Sequence, residues 1–83
     1  MKYSAVLYGK DTCGPCAKTK TALAVNGIPF KYIDVLEDTE AMEYVKNYWS
    51  NQGRDVTVPL VVINGEVIGG FTDTINWLAE NLY

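Results

Sequence analysis

The sequence predicts an α/β fold in which helices pack against one small mixed sheet. Three observations support this prediction: strand-like and helix-like segments alternate along the first half of the chain, a strong hairpin signal follows in the second half, and no linker or repeat interrupts them. The predicted order is β-α-β-α-β-β-α, with four strands and three helices. The 83 residues are expected to form one domain, covering residues 1–83.

The first half of the chain predicts a β-α-β unit. Residues 3–8 are rich in β-branched and aromatic side chains and end at Gly9, which indicates a strand followed by a turn. Good helix formers occupy residues 17–25, and an Asn-Gly pair marks the end of that helix. Residues 30–35 alternate in the manner of a second strand. Two strands joined through a helix normally lie parallel, with a right-handed crossover.

A second helix is predicted to begin at Asp38 or Thr39, either of which can cap it. Its apolar side chains recur at helical spacing and are expected to lie in the core: Ala41, Met42, Val45, Tyr48 and Trp49. Residues 53–57 are predicted to form a loop.

The last third of the chain predicts a hairpin and a final helix. Residues 60–63 and 66–68 are the predicted strands, joined by Asn64 and Gly65, a strong type I′ turn signal. A glycine pair ends the second strand. Thr72 or Asp73 is expected to cap the last helix. The predicted apolar face of that helix consists of Phe71, Ile75, Leu78 and Leu82.

Composition and charge exclude some classes of function. The net charge of −3 argues against nucleic acid as a main partner, because phosphate binding depends on Lys and Arg. The longest apolar run, residues 60–63, is far too short to span a bilayer, and the amino terminus does not resemble a secretory signal. We therefore expect a cytoplasmic protein with no membrane or nucleic-acid partner. In a reducing compartment a cysteine pair is more often catalytic or metal-binding than a permanent crosslink.

The two cysteines of the chain, Cys13 and Cys16, lie in the segment KDTCGPCAKTK. A zinc site needs three or four protein ligands, whereas the chain has two cysteines and no histidine. No metal site is therefore expected, although a cluster shared between two subunits stays open. A permanent crosslink that closes a loop of about four residues contributes only about 2 kcal/mol. The spacing favours thiol–disulfide chemistry.

This spacing provides a mechanism. Cys13 is expected at the start of the first helix, where free N–H groups and the helix dipole favour its thiolate. Pro15 suits the first helical turn, and Cys16, three residues after Cys13, comes to the same face. Cys13 is thus the predicted nucleophile and Cys16 the resolving thiol. Lys10 is expected to stabilise the thiolate or a substrate anion, while Asp11 opposes this effect.

Three motifs resemble the glutaredoxin family of the thioredoxin superfamily: CGPC at residues 13–16, TVP at residues 57–59 and GGFTD at residues 69–73. The family includes the small NrdH-redoxins and mycoredoxins. A CxxC pair between a first strand and a first helix is also the thioredoxin-like pattern. The resemblance implies a thioredoxin fold and a dithiol thiol–disulfide oxidoreductase that reduces protein disulfides or glutathione mixed disulfides.

The resemblance also implies roles for residues outside the cysteine pair. In this family the proline of TVP is cis and the residue before it offers its backbone to the substrate, which implies Pro59 and Val58 here. Glutathione, or another low-molecular-weight thiol, is the implied co-substrate, and no permanently bound cofactor is expected. The two carboxylates of glutathione need a cation and N–H donors at a helix start, and its ammonium needs a carboxylate. The implied binding residues for glutathione or a peptide are Lys10, Thr12, Pro15, Thr57, Val58, Pro59, Gly70, Phe71, Thr72 and Asp73.

Departures from the family pattern leave the electron donor open. Between the cysteines, Gly14 and Pro15 replace the usual Pro-Tyr and match thioredoxin. Val56 replaces a basic residue before TVP, and Arg54 lies two positions earlier. Phe71 resembles the SGF of NrdH-redoxins. The donor is therefore either glutathione or another such thiol, or thioredoxin reductase.

Two alternatives accompany this interpretation. An NrdH-type redoxin would be reduced by thioredoxin reductase and would donate electrons to ribonucleotide reductase. A dimeric iron–sulfur cluster scaffold would bind its cluster through the first cysteine and glutathione, although cluster-binding relatives usually have Ser in place of the second cysteine. As an oxidoreductase, the chain is expected to act as a monomer on disulfide-bearing proteins.

Overall fold

The computed structural model describes residues 2–82 and contains seven elements in the predicted order. The strands are β1 (Ala5–Gly9), β2 (Phe30–Asp34), β3 (Leu60–Ile63) and β4 (Glu66–Gly69), and the helices are α1 (Gly14–Val25), α2 (Thr39–Asn51) and α3 (Phe71–Leu82). The predicted α/β class, with three helices and one four-stranded mixed sheet, is confirmed. The strand boundaries differ from the prediction by one or two residues.

The sheet has the strand order β2-β1-β3-β4, so β1 lies in its interior. β1 runs parallel to β2, as expected for strands joined through α1, and antiparallel to β3. β3 and β4 form the predicted hairpin. At its turn Asn64 has φ 52° and Gly65 has φ 83°, and two successive positive φ values are the signature of a type I′ turn.

Each face of the sheet carries its own apolar core. On one face, residues of β1 and β3 pack against Leu23 of α1 and Leu78 of α3. On the other face, α2 packs against Val35 and Leu60. Within the predicted apolar stripe of α2, Ala41, Val45 and Trp49 are buried, while Met42 and Tyr48 pack at the edge of the cluster. The prediction that this stripe is core is therefore confirmed.

Two predictions about α3 are wrong. The helix begins at Phe71, so Thr72 and Asp73 lie within its first turn and neither precedes it as a cap. Ile75 was expected on the apolar face, but it is 39% exposed, and the neighbouring Thr74 is buried in its place along the helix. Ile75 instead borders a shallow groove between α1 and α3. Over residues 2–82, no helix has both the length and the apolar content that crossing a membrane requires.

Candidate active site

The cysteine pair lies at the start of α1, immediately after the central strand β1. Cys13 is the N-cap residue of the helix, with extended backbone angles, and Pro15 lies in the first helical turn, where a missing N–H removes no hydrogen bond. Cys13 and Cys16 form a disulfide with a Cα–Cα distance of 5.2 Å. The local sequence therefore brings the two sulfur atoms together without help from the rest of the fold.

The two sulfur atoms lie in different surroundings. Cys13 is half-buried, and its Sγ accepts a hydrogen bond from the Cys16 N–H at 3.1 Å. The first turn of α1 contains no acidic residue, so nothing within it offsets the positive end of the helix dipole. Cys16 is only 1% exposed. A substrate can therefore reach Cys13, whereas the buried Cys16 is positioned to react with the Cys13 sulfur itself.

A loop distant in sequence borders the Cys13 sulfur. The Val58–Pro59 peptide bond is cis, as the resemblance implied. The Val58 carbonyl oxygen lies 3.7 Å from the Cys13 sulfur, although the two residues are 45 positions apart. The Trp49 indole N–H donates to the Thr57 carbonyl oxygen at 2.8 Å, which anchors this loop to α2. Trp49 is thus both a core residue and the support of the site.

The start of α3 forms the third part of the site. The Gly70 N–H donates to the Asp73 carboxylate at 3.1 Å, and the Thr74 hydroxyl donates to the Gly70 carbonyl oxygen at 2.8 Å. Gly70 precedes the helix and Asp73 is its third residue. Asp73 therefore makes the contact that the third helical residue makes in a capping box, in which its side chain accepts from the N–H of the N-cap residue. Gly69 has φ 128°, and a β-carbon there would collide with the Asp73 side chain. Only glycine fits this position without strain.

Two clefts meet at Pro15, Thr57 and Val58. The first, of about 330 Å³, extends past Lys10, Thr12 and Cys13 toward an apolar wall formed by Val35, Leu36, Met42 and Val56. The second, of about 300 Å³, also contains Pro59, Gly70, Phe71, Thr72 and Asp73, together with Trp49 and Arg54. All ten binding residues implied by the sequence thus line these clefts, and Cys16 lies behind them.

Arg54 lines the second cleft. Its guanidinium carbon lies 5.0 Å from the centroid of the Trp49 ring, a cation–π geometry. Its side chain makes no salt bridge among residues 2–82, so its charge faces the cleft. The sequence alone gave no means to decide whether Arg54 reaches the site.

A second group of residues lies behind the cysteines and was not predicted from the sequence. A β-carbon on Gly9 would lie 3.0 Å from the Cys16 sulfur and 3.1 Å from Cε1 of Tyr32, so the sulfur and the ring edge face a common point. The Lys20 ammonium lies 3.8 Å from the centroid of the Tyr32 ring. Burial, followed by the charges of Asp34 and Asp11, raises the pKa of the Tyr32 hydroxyl. The proximity of Tyr32 to Cys16 depends on the register of β1 and β2, and no local sequence signal predicts that register.

Possible metal ligands do not cluster in the described part of the chain: no group of three or more His, Cys, Asp or Glu side chains there could hold an ion.

Comparison with known proteins identifies one family. The glutaredoxin family profile matches residues 5–68. The chain is 41% identical over 58 residues to an uncharacterised monothiol glutaredoxin ycf64-like protein of Synechocystis sp., covering 70% of this chain and 50% of that protein. It is 35% identical over 72 residues to glutaredoxin-C6 of Oryza sativa subsp. japonica, covering 84% of this chain and 62% of the rice protein. The chain thus spans less than two thirds of both curated relatives.

The fold is also found in solved structures. A crystal structure of a wheat glutaredoxin is 32% identical to this chain and superimposes on it with a TM-score of 0.76, covering 94% of this chain and 72% of the wheat protein. The solution structure of a glutaredoxin from Brucella melitensis gives a TM-score of 0.75 at 27% identity, covering 94% of this chain and 80% of that protein.

Proposed function

The chain belongs to the glutaredoxin family, and we propose that it is a dithiol thiol–disulfide oxidoreductase that reduces glutathione mixed disulfides and protein disulfides. One observation carries this proposal: an accessible sulfur at a helix N-cap lines a cleft, and a second, buried sulfur lies behind it. We also propose a reducing compartment such as the cytoplasm, where the pair would be kept reduced between turnovers.

The reaction proceeds in two exchanges. The Cys13 thiolate attacks one sulfur of the substrate disulfide, and the other sulfur leaves as a thiolate that takes up a proton. Cys16 then loses its proton and attacks the Cys13 sulfur, which releases the remaining substrate thiolate with its electron pair. The substrate gains two electrons, and the protein is left with the Cys13–Cys16 disulfide. An external thiol or a reductase must return these two electrons.

The charges of the second cleft suit glutathione. Its ammonium would bind the Asp73 carboxylate, and its carboxylates would bind the Arg54 guanidinium or the free N–H groups at the start of α3. Lys10 lies beside Cys13 in the first cleft and would stabilise an anion there. The backbone of Val58, next to the Cys13 sulfur, would pair with the main chain of the bound peptide.

The choice of electron donor is the sharpest test of this proposal. Turnover of a glutathionylated peptide would be measured with glutathione and glutathione reductase, and in parallel with thioredoxin reductase alone. We expect the first system to support turnover. Turnover in the thioredoxin reductase system combined with none in the glutathione system would contradict the glutathione site and favour the NrdH-type alternative, for which Gly14, Pro15 and Phe71 are the supporting residues.

The two cysteines can be separated by substitution. We expect Cys13→Ser to abolish turnover of every disulfide substrate, because no other accessible thiol is present in the described chain. Cys16→Ser should trap mixed disulfides with protein substrates. It should retain turnover of the glutathionylated peptide, because free glutathione can reduce the mixed disulfide between Cys13 and glutathione. Equal loss in both variants on the glutathionylated peptide would instead indicate an obligatory dithiol route.

A further inference from the structure

The polar group behind Cys16 contains a side-chain atom without a hydrogen-bond partner. Within residues 2–82, the Tyr32 hydroxyl is the one fully buried side-chain oxygen or nitrogen that no donor or acceptor reaches. Leaving such a group unpaired costs free energy, and a phenylalanine would fill the same space without that cost. The cost is accounted for if the hydroxyl forms a hydrogen bond in another state of the protein.

Three observations place this hydroxyl's ring near the resolving cysteine. The Cys16 sulfur and the edge of the Tyr32 ring both lie about 3 Å from the point where a Gly9 side chain would begin. Lys20 follows Cys16 by one helical turn, on the same face of α1. Its ammonium lies on the Tyr32 ring, 3.8 Å from the centroid. Cys16 and Tyr32 therefore meet at the bare backbone of Gly9, and Lys20 covers the Tyr32 ring.

The state in which this cluster is needed is the reduced one. In the disulfide, the Cys16 sulfur is uncharged and is bonded to Cys13. Once the disulfide opens, the two sulfurs must separate to van der Waals contact, and Cys16 must become a thiolate before it can attack a mixed disulfide. A thiolate at a site 1% exposed has little access to water, so it needs donors from the protein.

We propose that Tyr32 and Lys20 are positioning residues for the resolving step: the Tyr32 O–H donates a hydrogen bond to the Cys16 thiolate, and the Lys20 ammonium supplies the compensating charge. The inference rests on the dithiol route proposed above. Because its raised pKa keeps the Tyr32 hydroxyl protonated, it remains a donor throughout the working pH range. The negative charges of Asp34 and Asp11 act on the Tyr32 hydroxyl and would oppose a thiolate beside it, so the Lys20 charge is needed.

The test is a reaction that reports on the two cysteines separately. Reduced protein is mixed with dithiobis-nitrobenzoate in a stopped-flow instrument. Cys13 attacks the reagent and releases one nitrothiobenzoate anion; the Cys16 thiolate then attacks Cys13 and releases the second as the protein disulfide forms. Each release is coloured, so the trace has two phases of equal size. Cys16→Ser should show the first phase alone.

Tyr32→Phe is the central variant. We expect the second phase to slow by about three- to tenfold, since losing a hydrogen bond to a charged group lowers the thiolate fraction, while the more basic thiolate that remains is a better nucleophile. The first phase should keep its rate, and the thermal midpoint should stay equal or rise. Tyr3→Phe, which removes a hydroxyl from the ring packed on Trp77, is the matched control and should leave both phases unchanged.

Lys20→Met tests the charge, with Lys18→Met as its control. Both variants remove one positive charge from α1, but Lys18 is exposed and borders the α1–α3 groove. Only Lys20→Met should slow the second phase. A second phase that keeps the parent rate in Tyr32→Phe would overturn the proposal, as would equal slowing by both lysine variants. A parent protein that releases only one nitrothiobenzoate per chain and forms no Cys13–Cys16 disulfide would refute the dithiol route itself, which distinguishes that failure from this one.

Discussion

Asp73 combines a structural contact with a predicted binding role. Its carboxylate accepts from the Gly70 N–H and lies in the same cleft as Arg54 and Pro59. A capping contact needs only an acceptor oxygen, whereas an ammonium ligand needs a negative charge. The two roles can therefore be separated by a substitution that retains the oxygen and removes the charge.

We expect Asp73→Asn to raise the KM for a glutathionylated peptide by about tenfold, the effect of losing one charge-assisted hydrogen bond. The free energy of unfolding should fall by only about 0.5 kcal/mol, because the amide oxygen can still accept from Gly70 and only the charge at the helix start is lost. Steady-state kinetics and urea unfolding measure the two effects. Glu80→Gln, an exposed change later in the same helix, is the control. An unchanged KM would leave Asp73 with the capping role alone.

Some residues of the site follow from the sequence and others do not. The roles of Cys13 and Cys16 depend on a spacing of three positions, which local helix geometry converts into contact. Tyr32 and Gly9 come together only through the parallel register of β1 and β2, in which Leu7 pairs with Tyr32. One residue of slip would move Tyr32 to the opposite face, so no reading of the local pattern could find it.

At the scale of the elements, α2 depends on its first turn. The Asp38 carboxylate accepts from the Ala41 N–H at 3.0 Å and caps the helix, as one of the two predicted candidates. The helix carries Trp49, whose indole supports the Thr57 loop. The cap thus stabilises a helix that contributes both to the core and to the support of the site.

Asp38→Ala should lower the free energy of unfolding by about 1 kcal/mol, the usual effect of removing an N-cap acceptor. Asp38→Asn retains an acceptor and should lose much less. Urea unfolding monitored by tryptophan fluorescence provides the measurement, with Glu37→Ala as an exposed neighbouring control. Equal losses for Asp38→Ala and Glu37→Ala would show that general charge, and not capping, stabilises this end of α2.

The ends of the elements show where sequence patterns reach their limit. The type I′ turn was predictable because Asn64 and Gly65 satisfy its backbone angles by themselves. The start of α3 was not, because its capping contact runs backward from Asp73 to Gly70 and Ile75 faces outward. Apolar residues at helical spacing predict the buried face of a helix only approximately. Which side chains of α3 are buried also depends on how α1 packs against it.

For the whole molecule, ionisation of tyrosine sets a limit to stability at high pH. Burial, and secondarily the charges of Tyr44 and Asp38, raises the pKa of Tyr8; burial also raises that of Tyr32. Unfolded tyrosines ionise near pH 10, before these folded ones. The stabilisation is therefore complete below about pH 10 and is lost as the pH rises through the folded pKa values.

We expect the urea midpoint to decline above about pH 10, and the decline to be smaller in a Tyr8→Phe/Tyr32→Phe double variant. Comparing the two proteins at each pH cancels the ionisation of lysines, which both share. Parallel declines in the parent and the double variant would show that neither tyrosine contributes.

The order of elements was predictable along the whole chain, since each apolar segment is short and bounded by turn residues. The strand order β2-β1-β3-β4 was predictable only in part: the α1 crossover implied that β1 and β2 are parallel, and the turn at Asn64 implied the β3–β4 hairpin. The contact of β1 with β3 joins the two halves, and it arises from long-range packing.

The site's reactive atoms and its recognition surface come from different parts of the chain. Both sulfurs belong to one short segment at the start of α1, whereas most of the second cleft is built from residues around 54–59 and 70–73. The reactive sulfurs and most of the second cleft are thus encoded in different segments, although Pro15 of the cysteine segment lines both clefts. Grafting those two later segments from one relative to another would test whether the preference for a reductant moves with the second cleft or stays with Gly14 and Pro15 of the host, while the two reactive sulfurs remain in place.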